Sequence, residues 1–277
     1  MPVRRPRPPP AGGRHRSGAG SVGAMAATPL ATETTGAGER VVLLHGFTQT
    51  GRCWGPLATE LARDREVVTV DLPGHGGSGT VTAGIEDAVD LVADAGGPAT
   101  YLGYSMGGRF AIRLAVERPD VVRRLVLISA SPGLADADER AARRAADDTL
   151  ADRVELVGVE AFVHEWLDLP LFAGIHSSLR FEAERCTNTA AGLASSLRLA
   201  GTGAQEPLWD RLGELTVPTL LLTGGDDTKF TAINAAMDEK LASSEHCVVL
   251  DSGHTVHLEH PAATTALVRG WLSRVGG

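Results

Sequence analysis

The chain has 277 residues, 43% of them apolar, and a formal charge of −8, which suits one large globular domain or two small ones. Residues 1–24 hold five arginines and no acid, so the remainder carries −13, and a body that acidic excludes general nucleic-acid binding. No apolar run reaches the ~18 residues of a membrane span, and Cys53, Cys186 and Cys247, odd in number and far apart, exclude a disulfide framework or a zinc site.

Residues 1–38 are rich in Pro, Gly, Ala and Arg and are expected to form a disordered extension. Arg4-Arg5 is followed by no apolar segment, so a twin-arginine signal is not read, and Met25 is an alternative start of translation. A cytoplasmic location is the expectation that follows from these absences. Then come short apolar runs at 41–44, 67–70, 99–103, 125–128, 219–223 and 247–250. Such continuous runs predict strands covered on both faces. Helical periodicity predicts helices over 57–63, 85–95, 108–117, 233–241 and 262–272. Strands alternating with helices imply a mostly parallel central sheet with crossover connections. The alternation stops between Ser131 and Pro207, where Ala, Arg, Asp and Glu dominate with no convincing strand. The expected organisation is therefore an α/β core over 39–130 and 207–277, with a helical cap over 131–206. The cap would lie at the carboxyl edge of the sheet, where open α/β folds bind ligands.

Gly103-Tyr104-Ser105-Met106-Gly107 reads G-x-S-x-G at the junction of the third run and its helix. A serine on such a turn projects its hydroxyl above the sheet, with a helix N-terminus behind it. Serine is a weak nucleophile and needs a base oriented by a third group. Leu250-Asp251-Ser252-Gly253-His254 ends another strand and supplies that base, His254. Between them, a strand ending in Gly224-Gly225-Asp226-Asp227 offers two carboxylates. Either can hold the imidazole tautomer; Asp227, three residues past Gly224, is preferred. The chain order Ser, acid, His puts all three at one sheet edge. An oxyanion hole needs two backbone donors, expected from Met106, after the serine, and from Phe47 in the loop after the first strand. His45 precedes the serine and is read as structural. His257 and His260 are read as surface or packing residues.

These motifs resemble the α/β-hydrolase superfamily over about residues 40–275, through Leu-His-Gly-Phe at 44–47, Asp-Leu-Pro-Gly-His-Gly at 71–76 and Ser-Gly-His at 252–254. A narrower likeness is to the 2-succinyl-6-hydroxy-2,4-cyclohexadiene-1-carboxylate synthases of menaquinone biosynthesis. It is carried by the elbow Gly103 to Arg109, by Ser131-Pro132-Gly133-Leu134, by Trp166 with Pro170 and Phe172, by segments 192–198 and 201–205, and by Thr223 to Phe230. Leu167 and Gly225 depart from the tyrosine and glutamate common there. The resemblance implies an α/β-hydrolase fold, and a lyase that eliminates pyruvate from a small polycarboxylate. Ser105, His254 and Asp227 would act as the base. Arg109, Arg143 and Arg185 match family arginines that bind the substrate's carboxylates, a role that guanidinium suits. Trp166 and Tyr104 are further expected substrate contacts. No metal and no organic cofactor is implied, and neither nucleic acid nor membrane is an expected partner. The same triad could instead hydrolyse an ester, thioester or carbon–carbon bond, and a neutral pocket would mark that chemistry.

Overall fold

In a computed structural model, which describes residues 29–275, the apolar runs become neighbouring strands of one seven-stranded sheet. The strands are β1 (Thr32–Gly36), β2 (Glu39–Leu44), β3 (Arg65–Val70), β4 (Ala99–Tyr104), β5 (Val122–Ile128), β6 (Thr219–Gly224) and β7 (Ser244–Val249). Their order is β1-β3-β2-β4-β5-β6-β7, and only β1 is antiparallel to its neighbour. Helices α1 (Pro56–Leu61) and α10 (Pro261–Arg274) cover one face, and α2 (Ile85–Gly96) and α3 (Met106–Glu117) the other. Val42, Leu44, Leu125 and Leu127 pack toward the α2–α3 layer, while Val41, Leu43, Val126 and Ile128 pack toward α1 and α10. That two-sided burial is why these strands are continuous apolar runs.

Two expectations about the strands need correction. Residues 32–36 belong to no disordered extension: they form β1, whose Thr34 pairs with Val68 and whose Gly36 pairs with Glu66. All five β1 residues are exposed, so an edge strand held by backbone hydrogen bonds carries no apolar signature. The rest of the expected extension up to residue 28, with the alternative start at Met25, lies outside the described residues. The last strand is not covered on both faces either. β7 is an edge strand, with Val248 exposed and Cys247 only partly buried.

Between β5 and β6 the chain leaves the sheet. Helices α4 (Ala137–Val157), α5 (Val159–Leu167), α6 (Glu182–Arg185) and α7 (Ala190–Ala200) form a helical insertion. It has its own small core of Ala151, Val154, Phe162, Leu193, Ala194 and Leu197. Asp136 caps α4 by accepting Glu139 N–H (2.8 Å), and Thr189 caps α7 by accepting Gly192 N–H (3.0 Å). After β6, α8 (Thr228–Asp238) begins five residues before its expected start. Asp227 is its N-cap, accepting Phe230 N–H at Oδ1 (3.3 Å). α9 (Val256–Glu259) is a single turn after β7. Among the described residues no helix is long and apolar enough to cross a membrane, and no group of three or more His, Cys, Asp or Glu is placed to hold a metal.

Candidate active site

Ser105 sits between β4 and α3 with φ +50°, an unfavourable conformation for a residue with a Cβ. It is held by its N–H donating to Ile128 O (2.9 Å), while Arg109 N–H donates to Ser105 O (3.2 Å). The turn is tight because α3 starts directly against the end of β2. A Cβ on Gly107 would lie 1.9 Å from Leu44 O, so only glycine allows that approach. Gly107→Ala is expected to cost about 1–3 kcal/mol, the range for overpacking a filled core, read as a fall in the urea midpoint. A variant of unchanged stability would show that the end of β2 yields freely.

The structure brings the three expected residues together. Ser105 Oγ lies 3.1 Å from His254 Nε2, and His254 Nδ1 lies 2.7 Å from Asp227 Oδ2. Asp226 takes no part: its N–H donates to Ser252 O (2.9 Å), and its side chain is exposed. With Gly225 N–H donating to Val249 O (2.8 Å), that bond knits the acid turn to the histidine loop. The spacing of Asp227 and His254 is thus set by the β6–β7 pairing. Asp227 divides its carboxylate between helix cap and imidazole, which makes Nδ1 the protonated nitrogen and leaves Nε2 as the acceptor for the serine hydroxyl. Phe230 and Tyr104 flank the ring at 4.5 and 5.5 Å between centroids.

Phe47 and Met106 line the same cavity as Ser105. The backbone N–H groups of both lack an acceptor among the described residues. The cavity runs from the sheet edge under the insertion and is also lined by Arg109, Arg143, Trp166, Lys229 and His254. Arg109 is buried and donates to Gln205 Oε1 (3.1 Å). Burial, then the neighbouring Arg143, pushes its guanidinium down to about 10, which still leaves it cationic at neutral pH. Arg143 donates from Nε to the buried Asp147 (2.8 Å). Arg185 is fully buried and donates to Arg180 O (2.8 Å) and to Thr48 Oγ1, yet its Nη2 has no partner. Burial pushes the Arg185 guanidinium down. The indole N–H of Trp166 is also buried and unpartnered. Arg185 and Trp166 line a small recess with Tyr104, Ser105 and His254. Burial pushes the Tyr104 phenol up, so it stays neutral.

Nine of the ten expected site residues therefore line one cavity or its adjoining recess, and the tenth, Asp227, stands behind His254 at 2.7 Å. Sequence reasoning gave no role to Gln205, Asp147 or Lys229. Gln205 and Asp147 orient arginines, Gln205 across 96 positions of chain, and such partners have no local signal. Lys229 stands two residues past Asp227 in a motif already noted, and this exposed residue lines the cavity. His45 is structural: its Nδ1–H donates to Gly46 O (2.8 Å), and its Nε2 accepts Leu72 N–H (3.0 Å).

The arrangement can move a proton between a serine hydroxyl and an imidazole beside several fixed cations. A model of the alpha/beta hydrolase family matches residues 41–267. A Bacillus subtilis (strain 168) protein provisionally named a 2-succinyl-6-hydroxy-2,4-cyclohexadiene-1-carboxylate synthase is 36% identical, covering 89% of this chain and 94% of its own. The synthase of that name from Escherichia coli O1:K1 / APEC is 33% identical, covering 82% and 90%. Among solved structures, MenH from S. aureus superposes with a TM-score of 0.79 at 30% identity, over 89% of this chain and 99% of that one.

Proposed function

The chain belongs to the α/β-hydrolase family and, within it, to the 2-succinyl-6-hydroxy-2,4-cyclohexadiene-1-carboxylate synthases, and from that premise we propose that it eliminates pyruvate from a cyclohexene polycarboxylate. The observation that carries this reading is the charge of the cavity. Arg109 and Arg143 line it beside Ser105, and Arg185 and Trp166 offer unpartnered buried donors in the adjoining recess. A buried cation with an unused N–H lacks a counter-anion, and a substrate carboxylate supplies one. A simple esterase has no need of three arginines around its serine.

His254 takes the Ser105 hydroxyl proton, and Ser105 Oγ takes a proton from substrate carbon. The electron pair left on carbon forms a carbon–carbon double bond. The carbon–oxygen bond to the enolpyruvate group breaks, its electrons leave on the oxygen as the enolate of pyruvate, and the methylene carbon of that enolate takes up the proton held by His254 to give pyruvate. No acyl-enzyme forms. Asp227 holds His254 in the accepting tautomer and stabilises the imidazolium. The Phe47 and Met106 N–H groups stabilise the charge that develops on a substrate oxygen.

The test is pyruvate release from the synthase substrate, made in place by the enzyme that precedes it. Rapid release is expected; no release with fast cleavage of aryl esters would establish the hydrolase instead. Arg109→Ala is expected to lower kcat/KM about 10–150-fold, the loss that accompanies a charge-assisted bond of ~1.5–3 kcal/mol. Arg109→Lys, which keeps the charge but loses the planar fork, should recover only part of it. Unchanged turnover in Arg109→Ala would refute the carboxylate clamp.

A further inference from the structure

The backbone on both sides of His254 is held by one carboxylate outside the triad. Glu259, the last residue of α9, accepts Gly253 N–H at Oε2 (2.6 Å). At Oε1 it accepts both the N–H (2.9 Å) and the hydroxyl (2.6 Å) of Thr255. Gly253 and Thr255 are the two chain neighbours of His254. Hydrogen bonds to an ionised acceptor are about twice as strong as neutral ones, and here they converge on the residues that aim the imidazole.

The other side of Glu259 meets the helical insertion. A Cβ on Gly174 would lie 2.4 Å from Glu259 Oε2 and 2.9 Å from Cδ, so the backbone at Gly174 is pressed against the carboxylate. On either side of Gly174, Phe172 and Ile175 pack with Leu258, the residue before Glu259, in a small apolar cluster that Trp166 joins. Trp166 in turn lines the cavity beside Ser105. The insertion, α9 and the histidine loop thus form one continuous stack that ends at the reacting groups.

We propose that Glu259 is a positioning residue for His254, and that the insertion, seated through Gly174, keeps its carboxylate in the clamp. This rests on the reading of His254 as the base. Two variants probe it. Glu259→Gln keeps the size but loses one acceptor, so Gly253 or Thr255 is left unbonded. Gly174→Ala pushes on the same carboxylate and touches none of the reacting groups. An angstrom of misplacement can cost up to about 100-fold in rate. Each variant is therefore expected to lower kcat for pyruvate release by about 10–100-fold, with KM changed less than about threefold.

Two readouts separate positioning from loss of fold. One is the rate at which a small sulfonyl fluoride labels Ser105, which needs His254 in place but no synthase substrate. The other is the low-field proton resonance of the His254 Nδ1–H bond to Asp227. Labelling slowed at least about tenfold, with that resonance shifted or broadened in protein that is still folded, supports the clamp. Parent-like labelling and resonance in either folded variant overturns it and leaves Glu259 a helix-capping group. If the parent labels readily but releases no pyruvate, the synthase reading fails while the labelling rates still decide the clamp.

Discussion

Ser105→Ala, His254→Ala and the double variant are expected to fall to nearly the same residual rate, about 10²–10⁴-fold below the parent. Ser105 Oγ and His254 Nε2 stand 3.1 Å apart and share one proton, so removing either ends the same transfer. Residues that act as a unit give grossly non-additive losses. Asp227→Asn should be nearly as damaging for a different reason. Asp227 Oδ2 now accepts the His254 Nδ1 proton (2.7 Å). An amide can turn its NH2 to that position, which makes Nδ1 the acceptor and moves the ring proton to Nε2. A protonated Nε2 cannot take the serine proton. Single-turnover pyruvate release on all four variants checks the scheme. Losses that multiply in the double variant would show that Ser105 and His254 work on separate steps.

Lowering the pH from 7.5 to 5.5 is expected to remove about 4 kcal/mol of folding stability through three histidines outside the proposed triad. His45, His75 and His257 are fully buried. Burial pushes His45 down to about 4, opposed by its bond to Gly46 O. It pushes His75 and His257 down to about 3, helped at His75 by the nearby His45 and at His257 by Arg185. The surroundings agree. Neither ring nitrogen of His257 has a partner, nor does Nε2 of His75, and His257 lies between Trp54 and Tyr104.

All three folded values lie below the unfolded value of about 6.5. Below pH 6.5 the unfolded chain therefore takes up protons that the folded chain refuses. Their contribution is complete above pH 6.5 and is lost as pH falls from there toward 4 for His45 and toward 3 for His75 and His257. One pH unit below 6.5, each costs about 1.4 kcal/mol. Carboxylates such as Glu39, whose bond to Arg124 holds it below the usual range, lose their contribution at lower pH. Urea unfolding at the two pH values reads the difference, and His257→Phe should reduce it by about a third. A midpoint independent of pH across that window would mean that the buried rings admit protons.

The elbow, the histidine loop and the acid turn were legible because each follows a buried parallel strand. Such strands announce themselves as Val41 to Leu44, Ala99 to Gly103 or Thr219 to Thr223. β1 was not legible, since Thr32–Gly36 buries no side chain and joins the sheet through backbone pairing. The start of α8 was missed because Asp227 was read only as a triad acid, not also as a helix cap. Gln205 and Glu259 were missed because they act through bonds to Arg109 and to the His254 loop.

By itself, then, the sequence determined the type of sheet, the helical segment between its fourth and fifth apolar runs and the candidate side chains of the proposed triad. Local patterning records which residues are buried and which turns follow them. Only the tertiary structure decided between Asp226 and Asp227, left Arg185 with an unused donor beside Ser105, and pressed Gly174 against Glu259. Those outcomes depend on distances between segments remote in the chain, set by the pairing of β6 with β7 and the seating of the insertion, and residue spacing along a sequence does not encode them.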